Sequence, residues 1–254
     1  MSEKSETLFE ICRKRIPSPA RVIEMAIERR LVPPNDTAAY TKENFSFLVE
    51  VLQVDAYNIY LEEEKKAGSF AIGDYIKHKV AEDVPAYEAI SAISSMFGEF
   101  DKFFLSLTQS RRPRAGIALE VILKTLFRRL GYPFDEQQVI NGKPDFLMPS
   151  RRHYDKNPMD CIIFTAKRSL RERWRQIVTE GTRGLGFFLA TIDERISEPQ
   201  LREMLENRIY VVVPERIKNE VSVYVRGPNV ISFEDFIRHH LDPAMARWKS
   251  AGVV

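Results

Sequence analysis

Up to about residue 110, apolar side chains recur at intervals of three and four; beyond it they gather into short unbroken runs. The first pattern is that of amphipathic helices, the second that of strands buried on both faces. Leu8, Ile11, Cys12 and Ile16 mark one helix closed by Pro17, and Ser18-Pro19 starts another carrying Val22, Ile23, Met25 and Ala26. Residues 41–66 set Phe45, Leu48, Val49, Leu52, Ala56, Ile59 and Tyr60 on one face, with Gly68 just past the expected end. Helices are also predicted over 72–80 and 87–107. Residues 1–108 therefore read as a helical region without internal repeats.

Gln109-Ser110-Arg111-Arg112-Pro113-Arg114-Ala115-Gly116 reads as a basic loop that opens into a helix, residues 117–127, apolar nearly all round. Glu120 interrupts that apolar surface. A carboxylate there needs either a partner, such as Lys124 one turn on or a nearby arginine, or a chemical role. After the Gly131-Tyr132-Pro133 turn, residues 137–140 are expected as a strand. Asn141-Gly142 is a tight-turn signal, and Lys143-Pro144-Asp145-Phe146-Leu147-Met148 begins the partner strand with Asp145 at its start.

Residues 160–166, rich in β-branched and aromatic side chains, predict a buried strand that delivers Lys167 at its carboxyl end. Ser169 is a candidate N-cap. The helix from Leu170 would carry Arg171, Glu172 and Arg173 on its first turn and Glu180 near its last, with Trp174, Ile177 and Val178 on the apolar side. Further strands are expected over 186–191 and 208–214, with helices over 197–206 and 233–240. This alternation defines an α/β class with a central mixed sheet flanked by helices over 109–254.

Composition narrows the functional classes. In 254 residues, 44% hydrophobic and 29% charged content is that of a globular chain, which excludes disorder throughout. No apolar run approaches the roughly 20 residues that span a bilayer, so no membrane association is expected. The opening residues lack the layout of a secretory signal, and the expected compartment is the cytoplasm. Cys12 and Cys161 are read as reduced thiols, and the four histidines have no zinc-ligand spacing with them. The formal net charge is only +2, but residues 110–175 hold 15 Lys/Arg against 7 Asp/Glu. That concentration suits either a phosphate-binding cleft or a solvated basic face.

Asp145, Lys167 and Glu180 form the most specific chemical pattern. Two carboxylates and a lysine at a sheet edge are what metal-assisted phosphodiester hydrolysis requires: oxygen ligands for Mg²⁺ and a cation to orient water and offset developing charge. Pro144-Asp145 with Lys167 resembles the PD-(D/E)XK nucleases. The acid usually found two positions before the lysine is Thr165 here, a departure shared with the EcoRII/PspGI branch of type II restriction endonucleases. That branch cuts at CCWGG or CCNGG and has moved the acid to the following helix, where Glu180 stands. The segments from Lys167 to Arg175 and from Gln109 to Glu120 also look like this branch.

The resemblance implies a restriction-endonuclease-like core over 109–254, with residues 1–108 as an arm for DNA contact or dimerisation. It implies Asp145, Lys167, Glu180 and Glu120 as catalytic residues, with Asp145 and Glu180 as metal ligands. It further implies that Arg171, Glu172 and Arg173 read the outer C·G pairs. Such a reading is chemically sensible, since arginine bonds bidentately to guanine and glutamate accepts from cytosine amino groups; an intrahelical charge ladder is the alternative. Gln109 resembles the minor-groove reader of the branch, or is a polar loop residue, and Arg111, Arg112 and Arg114 are candidate DNA contacts beside it. The branch flips the central nucleotides onto an aromatic ring, for which Tyr57 is the candidate and Tyr60 and Phe47 are rivals. The implied partners are double-stranded DNA, a second copy of the chain in a homodimer, and a cognate DNA methyltransferase acting without a stable complex. A structure-selective repair or recombination nuclease and a non-catalytic site-specific DNA-binding protein are the competing functions.

Overall fold

A computed structural model describes residues 6–140, 143–170 and 186–254. Its sheet comprises β1 (Asp135–Glu136), β2 (Phe146–Met148), β3 (Ile162–Ala166), β4 (Gly186–Ala190), β5 (Ile209–Val213) and β6 (Val230–Ser232), adjacent in sequence order. The β1–β2 and β2–β3 pairs are antiparallel, whereas β3 to β6 run parallel. Parallel neighbours need crossover segments, and helix Glu198–Glu206 supplies the one between β4 and β5. The mixed sheet expected from the alternating pattern is therefore present.

Residue parity assigns the two faces of this sheet. Phe146, Phe164 and Phe188 face Phe127 and Phe236 on one side, with Phe45 and Phe233 behind them. Leu147, Ile163, Phe187, Leu189 and Val211 face the other, packing with Leu201, Met204, Ile217 and Tyr224. Phe127 is the hub of the aromatic side. Its ring centroid lies 5.5 Å from Phe45, 5.9 Å from Phe146 and 5.4 Å from Phe164, the last two edge-on. Burial on both faces explains why these strands read as continuous apolar runs.

The chain divides into two compact units. One comprises Met1–Ala26 and Val54–Ala115, the other Ile27–Gln53 and Gly116–Val254. The sheet lies wholly in the second. In the first, Leu8, Cys12, Ala67, Ala71, Phe103 and Leu107 form the buried cluster. Both cysteines are free and buried, as read from the sequence.

Three local expectations are corrected. The basic segment from Gln109 to Gly116 is not a loop: one helix runs unbroken through Phe97–Arg129, with Pro113 inside it. An internal proline costs about 3 kcal/mol, and the segment is held by bonds to residues distant in sequence. Arg111 Nε donates to both carboxylate oxygens of buried Glu64 at 2.9 Å, and Arg114 donates to the Pro17 carbonyl while lying over the Tyr60 ring. The helix expected to end near Gly68 instead spans Phe45–Lys79. Gly68 costs that helix about 1 kcal/mol, which the packing of Ala67 and Ala71 into the buried cluster offsets. Finally, the strand expected over 137–140 lies earlier, at Asp135–Glu136, because Gln137 takes a left-handed φ of 52° that ends it. The Asn141-Gly142 turn and the helix expected after Leu170 fall outside the described residues. No helix among the described residues is long and apolar enough to cross a membrane.

Truncating the hub should be expensive. Phe127→Ala is expected to lower the unfolding free energy by about 3–5 kcal/mol, measured by denaturant titration. His240, packed against Phe188 and Tyr210, supplies a pH test. Burial, aided by His239, holds its pKa below the ordinary 6.5. As pH falls below that value the unfolded chain takes up the proton first, so stability should decline with acidification until the folded imidazole also protonates. His240→Gln should lose this part of the slope, as read from thermal midpoints between pH 5 and 8.

Candidate active site

Asp145 lies one residue before β2 and is 3% exposed. A buried carboxylate must be supplied with donors, and the sequence around β3 provides them. Strand β2 pairs with β3 only as far as Phe146 opposite Phe164. Ala166, two residues further on, donates its backbone N–H to Asp145 Oδ2 at 2.7 Å, and the Thr165 hydroxyl donates to the same oxygen at 2.8 Å. Thr165 stands where the common nuclease pattern has an acid. Its hydroxyl makes that position a donor to Asp145 instead of a second negative charge.

Lys167 follows directly, and its backbone N–H donates to the Ala190 carbonyl, extending the β3–β4 ladder by one bond. Nζ lies 3.1 Å from Asp145 Oδ2 and 3.5 Å from Oδ1. The lysine side chain remains 38% exposed, so the ammonium is anchored on one side and open on the other. The pairing of Asp145 with Lys167 across neighbouring strands, expected from spacing, is thus realised.

Glu120 reaches the same place from helix Phe97–Arg129. Its partner is not Lys124, whose ammonium pairs with Glu136. Instead, the Gln137 side-chain amide donates to Glu120 Oε1 at 3.3 Å and to Asp145 Oδ1 at 2.9 Å, bridging the two acids. Burial, and then the nearby Asp145 charge, raise the Glu120 pKa above the ordinary 4.5, against opposing effects of Lys167, Gln137 and Lys124. Convergent carboxylates of this kind are hard oxygen donors that suit a divalent cation of the Mg²⁺ type. Among the described residues no three His, Cys, Asp or Glu side chains cluster as a metal site. Glu180, the expected further ligand, lies outside the described residues, as do Arg171, Glu172 and Arg173.

Leu170 is anchored by Asp193. Leu170 donates its N–H to Asp193 Oδ2 at 3.0 Å, and Asp193 Oδ1 accepts from the Arg195 N–H at 3.1 Å. Tyr224 donates its hydroxyl to the Asp193 carbonyl and accepts from the Ile196 N–H. Neither Asp193 nor Gln137 was identified from the sequence. Gln137 acts across 8 and 17 residues, and the local turn bond of Asp193 to Arg195 gives no sign of its second bond, to Leu170 23 residues away.

The other expected DNA contacts lie in the helical unit. Gln109 and Arg112 are exposed, Arg111 is ion-paired with Glu64, and Arg114 is tied to Pro17 and Tyr60. Of the aromatic candidates in that unit, Tyr57 is exposed, whereas Tyr60 is buried. Phe47, also exposed, belongs to the sheet-containing unit.

A mixed sheet flanked by helices, with Asp145 and Lys167 meeting at neighbouring strands, defines a restriction-endonuclease-like core of the PD-(D/E)XK superfamily. The profile of the EcoRII C-terminal family matches residues 77–237, more than half of the chain, and the chain belongs to that family. It is 31% identical to the type II restriction enzyme SsoII of Shigella sonnei over 192 residues, covering 70% of this chain and 62% of SsoII. With EcoRII of Escherichia coli the identity is 33% over 153 residues, 57% of this chain and 38% of EcoRII. The chain thus spans less than two thirds of either relative. Among solved structures, metal-depleted Ecl18kI in complex with uncleaved DNA superposes with a TM-score of 0.72 at 25% identity, covering 97% of this chain and 84% of that one. The PspGI–substrate DNA complex shares the fold, with a TM-score of 0.65 at 20% identity over 98% of each chain.

The raised Glu120 pKa gives a stability prediction. The folded chain holds that proton to higher pH than the unfolded chain, so the ionised carboxylate opposes folding, and stability falls as pH rises through the window above 4.5. In EDTA at neutral pH, Glu120→Gln is expected to raise the thermal midpoint by about 1–3 °C. The gain should disappear below pH 4.5.

Proposed function

We propose that this protein is a type II restriction endonuclease that hydrolyses double-stranded DNA, with Mg²⁺ as cofactor, at a short palindrome with CC/GG arms. The observation that carries this reading is the meeting of buried Asp145, half-exposed Lys167 and Glu120 in one place. Family membership and the DNA-bound state of the solved relatives support it.

In this reading Asp145 and Glu180 hold the metal, with Glu120 as a further acid beside it. The bound cation would polarise the scissile phosphate and make a water molecule more acidic. Lys167, held by Asp145 on one side, presents its remaining N–H donors to the attacking water and to the charge developing on phosphorus oxygens. The donors on Asp145 fix its carboxylate plane before substrate arrives, so little reorganisation is needed. Arg171, Glu172 and Arg173 would read the C·G pairs of one half-site, with Gln109 in the minor groove and Arg111, Arg112 and Arg114 as further contacts of the helical unit. Tyr57 would stack a flipped central nucleotide. A palindrome is matched by a homodimer in which each subunit reads one half-site and cuts one strand. A cognate methyltransferase would protect the host sites without forming a stable complex.

Incubation with plasmid DNA and Mg²⁺ should yield discrete fragments whose sequenced ends share CC/GG arms, and Lys167→Ala should slow cutting by on the order of 100-fold or more. Cutting that ignores sequence and follows ends or junctions would replace the restriction reading with structure-selective cleavage. Site-specific binding without cutting would remove the catalytic assignment.

A further inference from the structure

Gln137 is unusual in both backbone and side chain. Its φ of 52° is a left-handed conformation that few residues other than glycine, asparagine and aspartate adopt readily. That backbone follows β1 directly, while the Gln137 N–H still donates to the Asp145 carbonyl at 3.3 Å. From this position its amide nitrogen spends both hydrogens on two acids, Glu120 Oε1 and Asp145 Oδ1. A glycine would suit the backbone better, and only a long amide or a cation could make the bridge.

Two like-charged carboxylates drawn to one point repel each other, and a neutral amide between them offsets that repulsion without adding charge. Each carboxylate oxygen has two lone pairs, so Glu120 Oε1, accepting from Gln137, has one to offer a cation, and Asp145 Oδ1 has one once the long 3.5 Å contact from Lys167 Nζ yields. The amide therefore need not leave when the metal arrives. It is placed as hydrogen-bonding partners of metal ligands commonly are, orienting the ligand from outside the coordination sphere.

We infer that Gln137 is a positioning residue for the divalent cation, holding Glu120 and Asp145 convergent so that both can face the metal. The inference rests on the metal-dependent reading given above and assigns a role to a residue that touches neither substrate nor cation.

The left-handed backbone supplies a discriminating variant. Gln137→Gly relieves the backbone constraint, which offsets part of the two hydrogen bonds lost with the amide, so the variant should still fold, with a thermal midpoint lowered by no more than about 10 °C. Mn²⁺ affinity, measured by electron paramagnetic resonance of the free ion with and without duplex DNA, should fall about 10- to 100-fold. The Mg²⁺ concentration for half-maximal cleavage should rise in parallel, with most of the rate recovered at saturation. Gln137→Leu keeps the side-chain bulk and should show the same loss of affinity. Variants that bind Mn²⁺ as wild type does would overturn the positioning role while leaving the metal-dependent reading intact. A wild-type protein that binds no Mn²⁺ even on DNA would overturn both.

Discussion

The interaction on which the sheet-containing unit turns is the burial of one carboxylate. Asp145 lies under the surface at the start of β2, and its two oxygens collect donors from a threonine hydroxyl, a backbone amide, a glutamine amide and an ammonium group. Charge-assisted bonds of this kind contribute roughly 1.5–3 kcal/mol each, and together they offset the cost of removing the charge from water. They also join three separate stretches of chain. The antiparallel hairpin, the start of the parallel sheet and helix Phe97–Arg129 are registered to one another through this one side chain and its glutamine neighbour.

Around that polar knot the packing is mainly apolar. Rings from Phe45, Phe127, Phe146, Phe164, Phe188, Phe233 and Phe236 fill one face of the sheet. Mostly aliphatic side chains, together with Phe187 and Tyr224, fill the other. A rigid hydrophobic floor matters for the chemistry above it: it fixes the strand ends from which Asp145 and Lys167 project, and catalysis by preorganised charge depends on such fixity.

How much of this was legible in the chain follows from the range of the interactions. Strands β3, β4 and β5 could be read because burial on both faces leaves an unbroken apolar run, and the meeting of Asp145 and Lys167 followed from pairing the strands that carry them. The bridge made by Gln137 could not be read, since its backbone conformation depends on tertiary contacts and glutamine has no preference for it. Pro113 and Gly68 carry local penalties of about one to three kcal/mol, yet both lie inside helices, where long-range packing and the Glu64–Arg111 ion pair oppose those penalties. Charge counting had a similar limit. Arg111, Lys124 and Arg128 count towards the basic excess, yet folding brings Glu64 to the first and Glu136 to the other two.

Thr165 sets a condition on redesign of this strand end. Because its hydroxyl is a donor to Asp145, an acidic residue at that position would remove a stabilising bond and set two anions against each other within the core. A carboxylate grafted there would have to be accompanied by a compensating cation or donor, so the position cannot be exchanged independently of its surroundings.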